Sequence, residues 1–314
     1  MWHRERVSLS RIFGAAVGGG IAAGAALGAY GFWEARQYGL RHEVLPILPP
    51  GAHDIRVLHI SDLHLVPTQQ AKLEWVSLLA DLGPDLIIDT GDNLAHRDSV
   101  GPLLEAFGGL LDVPGVFVNG SNDYFEPSLR NPLRYVLPDD GVRYVDGPQL
   151  PWREMTSAFR SAGWLDLNNL RGHLLINGTQ IAFTGVDDPH LEYDRLQDVD
   201  GPADPTADLR IGVAHAPYVR VLDAFADAGH ELLIAGHTHG GQVCLPIKGA
   251  IVTNCDLEPA RAKGLHRHPA DSRPGDPGSS WLHVSAGAGT SPYSQIRFCC
   301  RPEASLLTLV PGTR

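Results

Sequence analysis

Five short apolar runs in this chain each break off on acids, amides or histidines: "VLHISDLH", "LIIDTGD", "VFVNGSND", "IGVAHAPY" and "LLIAGHTH". A few consecutive Val, Ile and Leu bounded by polar residues and glycine is the pattern of a strand buried on both faces. Between the first three runs lie "AKLEWVSLLADLG", which stops at Gly83-Pro84, and "VGPLLEAFGGLL". Both carry apolar residues at helical spacing. Strand, helix, strand, helix, strand predicts an α/β fold. In such folds ligands bind outside the carboxyl ends of the strands. The polar clusters that close the five runs are therefore expected to meet.

The rest of the chain fits around this series. "HLLINGTQIAFTGVDD" reads as a hairpin across Asn177-Gly178, and "YVRVLDAFADAG" as a helix. "SSWLHVSAGAG" and "ASLLTLVPG" read as closing strands, and residues 262–280 as an exposed loop. With 43% hydrophobic and 19% charged residues, the chain has the means for a sizeable core. A net charge of −11 argues against a nucleic-acid partner. It leaves a phosphate substrate open, because a metal ion can supply local positive charge. Cys244, Cys255, Cys299 and Cys300 form no CxxC pair. They read as ordinary buried residues, with a disulfide open to them only in an exported domain.

The N-terminus divides the chain. Arg4, Arg6 and Arg11 precede an uncharged run from Ile12 to Trp33, long enough to cross a bilayer as a helix. Residues 1–33 are thus expected to be a signal anchor, 34–53 a proline-containing linker, and 54–312 the folded domain. A cleaved signal peptide is the rival reading of the first segment. Either one exports the domain.

Asp, Asn and His at the five strand ends make a mixed oxygen and nitrogen donor set, suited to Zn, Fe or Mn. Seven candidate donors exceed what one tetrahedral ion needs. Two adjacent ions sharing a carboxylate would use them all, and would clamp both ends of a phosphoryl displacement.

"HISDLHL", "IDTGDN", "GSNDY", "VAHAPY" and "AGHTHGGQ", in this order, resemble the calcineurin-like metallophosphoesterases. The likeness is closest to a membrane-associated bacterial branch, with counterparts to "TGVDDP" and "RFCCRPE", and covers roughly residues 45–312. It implies two packed mixed β-sheets with helices on both outer faces, a double sandwich that the apolar pattern alone does not establish. It also implies two divalent ions, Mn, Fe or Zn. Asp62, His64 and His239 would hold the first, and Asp92 would bridge. His215, His237 and an amide oxygen of the "GSND" turn would hold the second. The implied chemistry is in-line attack on phosphorus by a water that two cations acidify.

The third motif departs from the family's Gly-Asn-His-Asp/Glu. Here Gly120-Ser121-Asn122-Asp123 puts Asn122 where the histidine should stand and Ser121 where the ligand should. The expectation is a small shift that makes Asn122 the ligand. Asp123 then either takes over the acid role or orients its neighbours. Losing a general acid costs about 10²–10⁴-fold in rate, less with a good leaving group. The expected activity is therefore hydrolysis of a phosphodiester or pyrophosphate in a lipid-linked or cell-envelope substrate, by an enzyme anchored once in the cell membrane with its domain outside the cytoplasm. A phosphomonoesterase and a catalytically silent protein that recognises phosphorylated ligands are the alternatives. His96 and Ser121 are candidate phosphate contacts. Asp188 and His190 read as part of a solvated loop, and His266, His268 and His283 as surface or core histidines.

Overall fold

The computed structural model describes residues 9–129, 137, 141–143, 145 and 147–312, with the backbone alone at 9–19 and 21. Helix α1 (Leu9–Glu34) leads into β1 (Gly39–Leu48), β2 (Ile55–Ile60), α2 (Gln70–Leu78), β3 (Leu86–Asp89), α3 (Val100–Phe107) and β4 (Gly115–Phe117). A single turn, α4 (Ser121–Tyr124), precedes α5 (Trp152–Ser161), β5 (Leu165–Asp166), β6 (Leu170–Ile176), β7 (Thr179–Gly185) and β8 (Leu209–Val213). Then follow α6 (Val219–Asp227), β9 (Leu232–Ala235), a small ribbon of β10 (Cys244–Leu245) and β11 (Gly249–Ala250), β12 (Gly264–His268), β13 (Ser280–Val284) and β14 (Glu303–Pro311).

Two six-stranded mixed sheets result, in the orders β1-β14-β2-β3-β4-β5 and β12-β13-β9-β8-β7-β6. In the first, β2 to β5 run parallel and β14 lies antiparallel to β2. In the second, β13, β9, β8 and β7 run parallel, with β12 and β6 as antiparallel edges. Alternation along each strand builds three cores. Val57, Leu86, Ile88 and Val116 face Phe183, Ile211, Leu232 and Ile234 between the sheets. Leu58, Ile60, Ile87 and Phe117 point the other way, against Val76, Leu103, Phe107 and Phe159 of the helices. Leu233, Leu282 and Val284 do the same under Phe225 of α6. Fully burying each such side chain is worth about 1.5–3 kcal/mol. The double sandwich implied by the resemblance is the fold.

Four expectations change. The stretch read as a linker carries β1, which pairs in parallel with β14 and buries Leu45 and Leu48. Pro46 is tolerated there because β1 is an edge strand. The loop 262–280 contains β12, paired with β13. Among the described residues no helix is long and apolar enough to cross a membrane. Much of the expected anchor from Ile12 to Trp33 lies outside the residues whose side chains are described, and glycine and alanine lend the remainder little apolar surface. The four cysteines are free; Cys244 and Cys300 are buried as expected, whereas Cys299 is exposed.

Candidate metal centre

Four chain segments turn sharply at the carboxyl edge of the two sheets to bring in the acids and histidines. β2 runs into Asp62 and His64, β3 into Asp92, β8 into His215, and β9 into His237 and His239. The loops are tied to each other by Asp62 N–H to Gly91 O and His64 N–H to Asp92 O, both 2.8 Å. The His237 N–H donates to the Asp62 carboxylate at 3.0–3.2 Å, which joins one sheet to the other. Asp62, His64, Asp92, His237 and His239 all have positive φ, between 43° and 68°. That region costs an L-residue roughly 1–2 kcal/mol, and such strain collects where function demands a geometry. Comparison of His64→Gly with His64→Ala isolates the cost. The glycine variant is expected to be the more stable by about 1 kcal/mol in urea unfolding, since both lack the ring and only alanine keeps the strain.

Two donor groups converge there: Asp62, His64 and His239, and Asp62, Asp92 and His215. The His64 Nε2 lies 3.1 Å from His239 Nε2, and His237 Nδ1 lies 3.2 Å from His215 Nε2. Asp92 Oδ2 sits between the pairs, 3.4 Å from His64 Nε2 and 3.6 Å from His215 Nε2. Backbone carbonyls hold the opposite ring nitrogens of three histidines. His215 Nδ1 meets Thr90 O at 2.7 Å, His239 Nδ1 meets Gly289 O at 3.2 Å, and His237 Nε2 meets Asn254 O at 3.1 Å. An N–H spent on a carbonyl leaves a lone pair on the other nitrogen. Facing lone pairs repel unless a proton or a cation lies between them. Two nitrogens on one tetrahedral zinc would stand about 3.3 Å apart, so both pairs fit ligation.

The electrostatics separate the two pairs. Burial depresses His64 to about 4, and depresses His239 well below the usual range, with His64 and Arg297 adding to the effect on His239. That pair is therefore neutral, as a metal requires. Burial pulls His215 down too, but Asp92, Asp188 and Asp62 outweigh it and raise the ring to about 9. Burial raises Asp62 to about 6, whereas on Asp92 His215, His64 and the Asn122 bonds overcome burial and hold the carboxyl below its usual value.

Behind the donors runs a buried chain of hydrogen bonds. Ser61 Oγ donates to Asp62 Oδ2 at 2.5 Å, Thr90 Oγ1 donates to Ser61 Oγ at 2.7 Å, and His59 links Thr90 to His283. Such outer partners orient ligands, and losing one costs about 10–100-fold in metal affinity. Thr90→Val, which keeps the shape and removes the hydroxyl, is expected to weaken metal binding by that factor in a competitive chelator titration.

Asn122 meets Asp92 twice, its backbone N–H and its Nδ2 each at 2.7 Å from a carboxylate oxygen. Ser121 lines the same cleft and bonds Asp188. Asp123 does not face the cleft. It is fully buried and accepts the N–H groups of Asp92, Asn93, Leu94 and Gly120, two on each oxygen. Burial and the Asp92 charge push its carboxyl up to about 8, but four donated N–H bonds leave little room for a proton and favour the carboxylate. Its place is that of a brace between two loops, the second of the readings given above. His96 is not brought to the cleft. It lies half-exposed beyond β3 and accepts the Asp98 N–H at 3.1 Å.

Three residues matter more than their sequence context suggests. Asp188 is fully buried and faces His215. His190 lines the cleft, its ring 4.5 Å from that of His237 and its Nδ1 3.1 Å from the Tyr218 hydroxyl. The "DDPH" segment is therefore part of the site wall and not a solvated loop. Arg297, fully buried, donates to the carbonyls of Ala286, Gly287 and Gly289 at 2.7–3.0 Å and lies 3.3 Å from His239 Nδ1. Its signal in the sequence was its place at the head of the "RFCCRPE" stretch.

Residues 55–241, more than half of the chain, match the calcineurin-like phosphoesterase family. The chain is 28% identical over 195 residues to the uncharacterized protein YpbG of Bacillus subtilis, covering 62% of this chain and 64% of that one. It is 23% identical over 319 residues to the uncharacterized metallophosphoesterase YkuE of the same organism, covering 97% of each. It is 27% identical over 289 residues to the UDP-2,3-diacylglucosamine pyrophosphatase LpxG of Chlamydia trachomatis, covering 81% of this chain and 83% of that protein. With the family's motifs folded into one buried donor cage, the chain belongs to the calcineurin-like phosphoesterase family and is a metallophosphoesterase.

Proposed function

We propose that the enzyme hydrolyses a phosphodiester or pyrophosphate bond in a lipid-linked or envelope substrate. The observation that carries this reading is the cleft itself: it ends on the donor cage, yet its "GSND" wall offers Asn122 and Ser121 in place of a histidine. Without an imidazole in that loop, a leaving group that departs unprotonated is favoured. The LpxG relative, whose name records a pyrophosphatase on a diacylated sugar nucleotide, supports the same choice.

His64, His239 and Asp62 would hold one divalent ion, and His215, His237 and Asn122 the other, with Asp92 shared between them. When bound, the pair supplies positive charge for the phosphoryl oxygens and acidifies a water. The chain's own contribution is placement. Asn122 steadies Asp92, Thr90 and Gly289 carbonyls fix the ring faces of His215 and His239, and His190 borders the space left for the substrate. The metals are Mn, Fe or Zn. Attachment to a membrane through the N-terminal segment, with the domain outside the cytoplasm, belongs to the same proposal and rests on the arginines before an uncharged run.

The test is hydrolysis of bis-p-nitrophenyl phosphate and of p-nitrophenyl phosphate by the full chain with Mn²⁺. The expected result is a kcat/KM at least tenfold higher for the diester. A preference for the monoester would overturn the assignment in favour of a phosphomonoesterase.

A further inference from the structure

A second cleft, of about 430 Å³, opens beside the root of α1. One loop separates it from the metal centre: Ser291, Tyr293 and Ser294 line the metal side, whereas Thr290, Pro292 and Gln295 line this one. Two cations, Arg36 and Lys72, stand in its wall, and no acidic residue does, in a chain whose net charge is −11. Lys72 is only 3% exposed. Its Nζ donates to Leu63 O at 2.5 Å, and an ammonium carries three donors. Arg36 donates to Phe32 O and Gln295 Oε1, both at 2.7 Å. Among the described residues neither side chain is paired with a carboxylate, and burial, with the charges of Arg297 and Arg36 adding to it, pushes Lys72 down to about 7, so that an anion beside it would favour its charged form. A buried cation without an anion is costly.

Thr68, Gln69 and Gln70 complete the wall at the start of α2, which has no side-chain cap. Of the first-turn N–H groups, those of Gln70 and Lys72 already donate to Thr68 O and Gln69 O, which leaves that of Ala71 for an anion. α1 ends at Glu34, next to the wall residues Ala35 and Arg36, and its side chains described from Gly20 to Tyr30 are exposed and uncharged. A ligand lying here has Lys72 and Arg36 at one end and the foot of an uncharged helix beside it.

We infer that this cleft binds a phosphate group, that of an anionic lipid head, beside the metal centre and independently of it. Calorimetric titration of the full, metal-loaded chain in a neutral detergent tests this with dihexanoylphosphatidic acid, dihexanoylphosphatidylcholine and inorganic phosphate. The phosphatidic acid is expected to bind and the zwitterionic lipid not. Arg36→Gln and Gln70→Glu, both exposed positions that leave Lys72 in place, are each expected to weaken binding at least tenfold. His215→Ala, which breaks the metal centre, is expected to leave it unchanged, so failure of the proposed hydrolytic function does not touch this result. Equal binding of inorganic phosphate with the same variant pattern keeps the anion site and assigns it to the free ion. Binding that is absent, or that disappears with His215→Ala and ignores the other two variants, overturns the inference.

Discussion

Asp92→Asn is expected to lower kcat by more than about 10³-fold with little change in fold. Asp92 Oδ2 stands 3.4 Å from His64 Nε2 and 3.6 Å from His215 Nε2, so it is the carboxylate best placed to serve both donor groups. The amide has nearly the same shape, but it removes a negative charge from among four imidazoles and puts a donor where an acceptor is needed. Removing a single preorganised electrostatic contact costs about 10²–10³-fold, and here a shared ligand is also lost. Steady-state kinetics and metal content of the variant check the expectation together. Turnover within tenfold of the parent would show that Asp92 is not the shared ligand.

Gly120→Ala is expected to be nearly as damaging, although position 120 carries no functional group. A Cβ there would lie 2.3 Å from Asp92 Oδ1 and 2.6 Å from His215 Cε1. Neither neighbour can yield. Asp92 is held by Asn122, and its own N–H is bonded to Asp123, while His215 is pinned to Thr90 O. Overpacking of this kind costs about 1–3 kcal/mol of stability, and misplacing catalytic groups by about 1 Å can cost 10²-fold in rate. The expected outcome is a folded protein with reduced stability and kcat lowered about 10²-fold or more, read by urea unfolding and kinetics. A fully active variant would mean that the cage is looser than these distances state.

Much of the centre was legible because strand ends carry their meaning in order. Once β2, β3, β8 and β9 are read as buried strands, their trailing polar residues must gather at one edge, and Asp62, His64, Asp92, His215, His237 and His239 do. The residues that escaped notice act through tertiary contacts that leave no local pattern. β1 forms because β14 offers it a partner and the inter-sheet core takes Leu45 and Leu48, not because its own sequence alternates. Arg297 finds its acceptors on the loop from Ala286 to Gly289, and no periodicity announces that meeting. Asp188 and His190 sit in a segment with the composition of a solvated turn, and only the approach of β8 and β9 folds it into the wall. His96, by contrast, lies close to Asp92 in sequence but turns outward to Asp98.

The central claim is that donors on both sheets hold a pair of cations at once. Purified chain, saturated with Mn²⁺ and freed of excess, should carry two equivalents per molecule by inductively coupled plasma mass spectrometry, and His64→Ala and His215→Ala should each lower that number. A parent protein retaining one equivalent or none, with both variants indistinguishable from it, would contradict the account.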